Sequence, residues 1–208
     1  MDYHNTVVEH FNQKPYRHQE WETHELTSDN LIAELNALNP NLIIDAGCGT
    51  NPYKGKVPNV VGFDPATVYD NVDLNLSFED VVKHNIFGKD CADAVLALGS
   101  INFGDYNRIY KQLEACVNWT KPGGFVICRA RLGSAIPPDK EQANKGFISF
   151  NWTIDDAYKM TEQLGNVSMW KHPETEMAHA PHNLYETREE ANKVKFPLCT
   201  VWWWKKHD

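Results

Sequence analysis

The chain has 208 residues, with 28 acidic and 20 basic side chains and a formal charge of −8. That length suits a single domain with a core large enough to need no staples, and 42% hydrophobic with 23% charged residues excludes a disordered or collagen-like chain. The acidic balance disfavours a nucleic-acid partner; no apolar run approaches the roughly 20 residues that span a bilayer, and the start, MDYHNTVVEHFNQK, carries no basic or apolar leader, so no membrane partner and a cytoplasmic setting are expected.

The elements alternate along the chain. Residues 1–27 precede the first periodic segment and read as an N-terminal cap, aromatic and basic between Phe11 and Trp21. In 28–38, Leu31, Ile32, Leu35 and Leu38 share a helical face after a Ser28 cap and before Pro40. Leu42-Ile43-Ile44 is a short apolar run between Asn-Pro-Asn and Gly-Cys-Gly and predicts a buried first strand. Val60-Val61-Gly62-Phe63 predicts a second, Asn71-Val72-Asp73 a short third, and Ala92 to Leu98 a fourth. The spacing of Tyr106, Ile109, Tyr110, Leu113, Cys116 and Val117 predicts a helix over 105–118, closed by Lys121-Pro122-Gly123-Gly124. Phe125 to Cys128 is a fifth strand. A long connection, 132–151, leads to a helix over 153–164 with a Thr153 cap and a Gly165 stop. Val167 to Trp170 is a sixth strand, 171–185 a second long connection, 186–194 a weaker helix, and Leu198 to Trp204 a seventh strand. Five cysteines without CxxC spacing argue for reduced thiols and no disulfide framework or zinc knuckle.

Strands alternating with helices predict an α/β fold, a mostly parallel sheet with helices on both faces in one domain spanning 1–208. Such sheets bind ligands beyond the carboxyl ends of their strands, which directs attention to the loops after the first, second and fourth. The first strand runs into Asp45-Ala46-Gly47-Cys48-Gly49-Thr50-Asn51-Pro52. Two glycines around one residue permit a tight turn and a close ligand approach. Proline at 52 replaces the third glycine of a dinucleotide fingerprint, and a carboxylate at 45 repels a diphosphate, so a ligand with a cationic group suits the turn better. The second strand ends in Asp64, about 20 positions after Asp45, where a carboxylate takes a ribose diol.

Ile44-Asp45-Ala46-Gly47-Cys48-Gly49 followed by Gly62-Phe63-Asp64-Pro65 resembles motifs I and II of the class I S-adenosylmethionine-dependent methyltransferases. Asp73-Leu74 is similar to the acidic position that contacts adenine in that family. Asp93 through Ser100 resembles its fourth-strand motif, and Lys121-Pro122-Gly123-Gly124-Phe125-Val126 its turn into the fifth strand. The resemblance covers roughly 28–130 in detail. It implies a Rossmann-like three-layer α/β/α sandwich with a seven-stranded sheet, order 3-2-1-4-5-7-6 and strand 7 antiparallel. It also implies S-adenosyl-L-methionine as cofactor, with contacts at Asp45, Ala46, Gly47, Cys48, Gly49, Asn51, Asp64, Pro65, Asp73, Leu74, Gly99 and Ser100. The segment after Gly49 departs from the family in lacking a full helix.

The activity expected from this resemblance is methyl transfer to a small-molecule or exposed macromolecular acceptor. The alternatives are another S-adenosyl chemistry, such as aminopropyl transfer or cofactor cleavage, and a non-catalytic binding or docking domain. Ala97-Leu98-Gly99-Ser100-Ile101-Asn102 lacks the Pro-Pro-aromatic tetrad that base-amine methyltransferases use, which further disfavours nucleic acid. No spacing identifies a catalytic residue; His84, His179 and His182 are candidate bases, and Arg129 and Arg131 candidate holders of an anionic group. Tyr16 and Arg17 are candidates for the cofactor's carboxylate. The segment HPETEMAHAPH is rich in metal-ligand types but broken by prolines, so a solvated loop is expected and no metal. The acceptor is expected over 132–151 and 171–185, with Phe147, Phe150 and Trp152 either walling its pocket or packing the following helix. Trp202-Trp203-Trp204 is expected to pack both faces of the sheet. Oligomeric state is not legible.

Overall fold

The computed structural model describes residues 3–13, 29–131, 150, 152–171, 176–177 and 198–208. Its helices are α1 (Tyr3–Gln13), α2 (Asp29–Ala37), α3 (Phe78–Lys83), α4 (Tyr106–Trp119) and α5 (Ile154–Leu164). Its strands are β1 (Ile43–Ala46), β2 (Val60–Phe63), β3 (Ala92–Leu98), β4 (Thr120–Arg131), β5 (Val167–Lys171), β6 (Glu176–Met177) and β7 (Leu198–Lys206). They form one sheet in the order β2-β1-β3-β4-β7-β5, with β6 beside the first residues of β7. The first four strands run parallel, and β7 is antiparallel to both β4 and β5.

The helices start and stop where local chemistry dictates. Asp105 caps α4 by accepting from the Arg108 amide at 2.9 Å. Thr153 caps α5 in a reciprocal capping box with Asp156, and Gly165 ends it in the left-handed region at φ 71°. Alternation then builds two apolar layers. Ile44, Val95, Val126, Trp202 and Trp204 pack with α3, α4 and α5 on one face; Ile43, Leu96, Ile127 and Trp203 pack with Leu31 and Leu35 of α2 on the other. The three tryptophans thus divide between the faces as expected. Trp204 donates its indole N–H to Thr161 at 2.7 Å, satisfying its one polar atom.

Four features differ from the sequence reading. The third strand is reduced to one parallel bridge, Phe63 to Leu74, which keeps the expected order, while β6 brings the sheet to seven strands. The Lys121-Pro122-Gly123-Gly124 segment does not end a helix. Chain passes from α4 straight into β4 at Thr120, whose hydroxyl donates to the Cys116 carbonyl at 2.8 Å. The segment is instead a bulge between the pairs Ala92–Thr120 and Ala94–Phe125. Gly124 is required there, because a Cβ would lie 2.7 Å from the Asp93 carbonyl oxygen. Part of 171–185 is strand β6. Finally α3, capped by Ser77, was not expected; at six residues it is too short for a periodic signal. The weaker helix at 186–194 and the Ser28 cap lie outside the described residues.

Two clusters hold the ends of the sheet. Phe63, Phe78 and Phe87 surround Trp119, with ring centroids 6.0, 5.5 and 5.6 Å from it. At the amino-terminal ends of β3 and β4, Lys206 is buried and its ammonium donates to Val117 O at 2.9 Å, Thr120 O at 2.8 Å and Asp90 at 2.5 Å.

Candidate functional site

The site lies at the opposite end, where β1, β2, β3 and β4 deliver their carboxyl termini. After β1 the chain turns through Gly47 at φ +68° and Gly49 at φ +53°, and the Gly47 and Cys48 amides both donate to the Phe63 carbonyl, at 2.8 and 3.0 Å. The turn is thereby pinned to the end of β2. It is also pressed against the end of β3. A Cβ on Gly47 would lie 2.3 Å from Ser100 Cβ, so only glycine fits. Gly99, at φ +104°, carries the chain out of β3 beneath this turn.

Asp64 follows β2. One carboxylate oxygen accepts from the Gly49 amide at 3.0 Å and the other from the Ala66 amide at 2.9 Å. A carboxylate offers about four acceptor sites, so two remain for a diol. Burial pushes its pKa up, opposed by those two amides. Pro65 follows, half-buried. The Tyr69 ring packs under Gly49, 3.9 Å from where a Cβ would stand. This contact carried no sequence signal, because Tyr69 belongs to no periodic element.

Asn51 and Asp73 do something other than wait for a ligand. Asn51 sits at φ +52° and its amide donates to Asn71 O at 3.0 Å and to Asp73 at 3.2 Å. Asp73 also accepts from the Gly62 amide at 2.9 Å and pairs with Lys54. Gly62 has no side chain because one would collide with Asn51 at 2.6 Å and Cys48 at 2.8 Å. The network replaces the missing third strand: Leu74 exchanges backbone bonds with Gly62 and Asp64 at 3.2 and 3.1 Å. Despite some burial, the Asp73 carboxyl is held below its usual range by these donors.

Asp45, by contrast, is buried to 2% exposure and its Oδ2 has no hydrogen-bond partner. Burial, then the Asp64 charge, raises its pKa from 3.8 to about 7, against the opposing pull of Arg129. Three more buried polar atoms without a partner, Ser100 Oγ, Asn102 Oδ1 and Arg129 Nη1, lie at the ends of β3 and β4. Buried polar groups in a native protein are nearly always satisfied, so four orphans at one end of one sheet describe a cradle for a polar ligand. Ala46 and Cys48 contribute backbone only. The Cys48 thiol is buried and its pKa is pushed up, chiefly by desolvation, so it is not a nucleophile.

Helix α1 lies across this end. Phe11 meets Phe103, after β3, with centroids 5.5 Å apart, and Asn12 accepts from the Thr67 amide, after β2, at 2.8 Å. Other candidates are displaced. His84 caps α3 at its C-terminus and is exposed, away from the cradle. Trp152 is fully buried against Trp202 at 5.3 Å and donates to Ile101 O at 3.1 Å, so it is core and not a pocket wall. Phe150 packs beside it at 5.2 Å. Tyr16, Arg17, Phe147, His179 and His182 lie outside the described residues. Among the described residues no cluster of three metal-ligating side chains occurs, and no helix is long and apolar enough to cross a membrane. A groove of about 520 Å³ between α3 and α4 contains none of the cradle residues, and its Arg108 is tied to Glu79 at 2.7 Å.

No family model and no curated protein matches the chain. Solved structures do. A SAM-dependent methyltransferase from Leishmania major is 14% identical over 97% of this chain and 82% of its own, with a TM-score of 0.68. The 1,6-didemethyltoxoflavin-N1-methyltransferase of Burkholderia thailandensis, solved with its substrate and S-adenosylhomocysteine, is 13% identical over 100% and 90%, also at 0.68. The magnesium protoporphyrin IX methyltransferase of Synechocystis, solved with S-adenosylhomocysteine, is 14% identical over 100% of both chains, at 0.67. The fold of this chain is therefore the Rossmann-like fold of class I methyltransferases.

Proposed function

We propose that this protein binds S-adenosyl-L-methionine at the carboxyl ends of β1, β2 and β3 and transfers its methyl group to a small-molecule acceptor. The observation that carries the reading is the cradle itself, with glycines forced at 47 and 99 and buried polar atoms left unpaired around them. The residues fit the cofactor. Asp64 retains acceptor capacity for a ribose diol, and Asp45 offers a buried carboxylate to an ammonium or sulfonium. The turn 47–49 presents backbone at close range. Asp73, whose carboxylate keeps about one of four acceptor sites beside Asn51, the Gly62 amide and Lys54, stands with Leu74 at the adenine end. The structural relatives with S-adenosylhomocysteine bound support the same choice.

Bound there, the cofactor supplies a methyl group already activated on sulfur. The chain's own part is placement, worth roughly 7–11 kcal/mol when reacting groups are aligned, and exclusion of water. Helix α1, touching the loops after β2 and β3, acts as the cover. The segments 132–151 and 171–185, which follow β4 and β5 in the chain, are the proposed source of acceptor selectivity. Calorimetric titration of the folded protein with S-adenosylhomocysteine should give one site per chain; no heat with either the cofactor or its product removes the proposal. Incubation with methyl-labelled cofactor and a cell extract then shows which acceptor takes the label.

A further inference from the structure

Helix α4 follows the end of β3 and α3 follows the Phe63–Leu74 bridge, so both descend from the carboxyl end of the sheet. The Arg108–Glu79 ion pair, at 2.7 Å, joins their first turns. The groove of about 520 Å³ between them holds, one turn beyond that pair, Val82 and Lys83 on α3 and Lys111 and Gln112 on α4. Its wall is apolar. Phe78 is stacked on Trp119 at 5.5 Å, and Val82 is left 51% exposed. Gln112 departs from this wall. It lies one turn from Arg108 and two from Trp119, on the stripe of α4 that faces α3. It is only 8% exposed, and its Oε1 has no hydrogen-bond partner. Buried side-chain polar atoms are nearly always satisfied, so a buried amide opening on a groove asks for a ligand that satisfies it. The rim supplies positive charge. Lys83 and Lys111 are exposed and have no ion-pair partner among the described residues. Glu79 is taken by Arg108, and Asp105 caps α4.

We propose that this groove is a second ligand site, separate from the cradle, and that it takes a mononucleotide. The base lies against Phe78 and Val82 with its edge on Gln112, and the phosphate meets Lys83 and Lys111. A primary amide carries a donor nitrogen beside its acceptor oxygen. Its complement is a neighbouring N–H and C=O or ring nitrogen on one edge of a flat ring, the pattern by which side-chain amides read bases. The two flanking ammoniums suit a phosphate. A purely apolar ligand would seal the amide oxygen in without a donor, and a simple anion would leave both the amide and the apolar wall unused. Only a ligand that joins a flat amide-edged ring to an anion meets all three features.

The test titrates the full chain with uridine 5′-monophosphate, with uridine, which lacks the phosphate, and with ribose 5-phosphate, which lacks the base. The wild type should bind the nucleotide roughly tenfold or more tighter than either fragment, and its advantage over uridine should shrink as salt is raised. Gln112→Leu should weaken the nucleotide and uridine alike, by roughly tenfold. It should not lower the urea midpoint of the ligand-free protein, because it removes an unsatisfied buried atom. Lys111→Gln should weaken the nucleotide and leave uridine unchanged. Saturating S-adenosylhomocysteine should leave the nucleotide's affinity as it was. A nucleotide Kd above about 1 mM overturns the site. So does ribose 5-phosphate binding as well as the nucleotide, or a Gln112→Leu protein with undiminished affinity. Displacement of the nucleotide by S-adenosylhomocysteine puts it in the cradle and overturns the second site. None of these results touches the cofactor reading, which stands or falls on the titration with S-adenosylhomocysteine. Because the three wild-type titrations need no variant, the proposal stays refutable even if Gln112→Leu does not fold.

Discussion

Gly47→Ala probes how closely the β1 turn meets the end of β3. The added Cβ would stand 2.3 Å from Ser100 Cβ, 3.2 Å from its hydroxyl and 3.5 Å from its Cα. Two costs are separable. Holding an L-residue at the φ of +68° found here costs roughly 1–2 kcal/mol. The overlap is worse, because the nearest atom is a Cβ, which no side-chain rotation moves, so backbone must shift at about 1–3 kcal/mol. Together the substitution should cost about 2–5 kcal/mol, out of a total stability of about 5–15. Ser100→Gly removes the Cβ and the hydroxyl and leaves only the Cα, at ordinary contact distance. The double variant should therefore recover the overlap and keep the φ cost, a coupling of about 1–3 kcal/mol. Urea unfolding of the four proteins measures this from the midpoints, provided the slopes agree. If the two changes add without coupling, the turn does not touch Ser100 and the geometry of the cradle is wrong.

Other outcomes follow from the same geometry. Asp45 binds its proton with a pKa of about 7 when folded, against 3.8 unfolded; the folded state holds more protons between those values. Ligand-free stability should fall as pH rises from about 4 to about 7 and level off above, and Asp45→Asn should flatten that slope and exceed the wild type at about pH 8 in urea melts. Asp64→Ala should weaken S-adenosylhomocysteine binding roughly tenfold to a thousandfold in calorimetry. It should also lower the melting temperature, since the Gly49 and Ala66 amides lose their acceptor. Lys206→Ala should cost about 2–4 kcal/mol by leaving the Val117 and Thr120 carbonyls unsatisfied. Being at the far end of the sheet, it should leave the ligand's dissociation constant unchanged.

Much of this protein is decided by short-range interactions, and these are readable in one dimension. A cap acts over three residues, so Asp105 and Thr153 announce α4 and α5, and Gly165 can end α5 because it alone accepts φ 71° without cost. A strand buried on both faces must be apolar throughout, so Ile43, Ile44 and the run 92–98 stand out. A turn that touches a ligand needs glycine, and from Asp45 at the end of β1 to Asp64 at the end of β2 there is one connection and one strand. Together these yield the elements and the end of the sheet where the site is proposed, while the sheet order is what the family resemblance implies. What they cannot reach is any contact made across the fold. Asp73 reads as a ligand for adenine, but Lys54, Asn51 and the Gly62 amide claim its carboxylate and leave one bridge where a strand was expected. Trp152 reads equally as pocket wall or core until Trp202 and the Ile101 carbonyl are placed beside it. Arg129 is one of two arginines at a strand end, and nothing in the chain says that its guanidinium bends over β3 toward a buried carboxylate. Charges find their partners through space and burial decides whether they are satisfied, so tertiary structure alone could show that Asp45 Oδ2 and Arg129 Nη1 are left without a hydrogen-bond partner at the same end of the sheet.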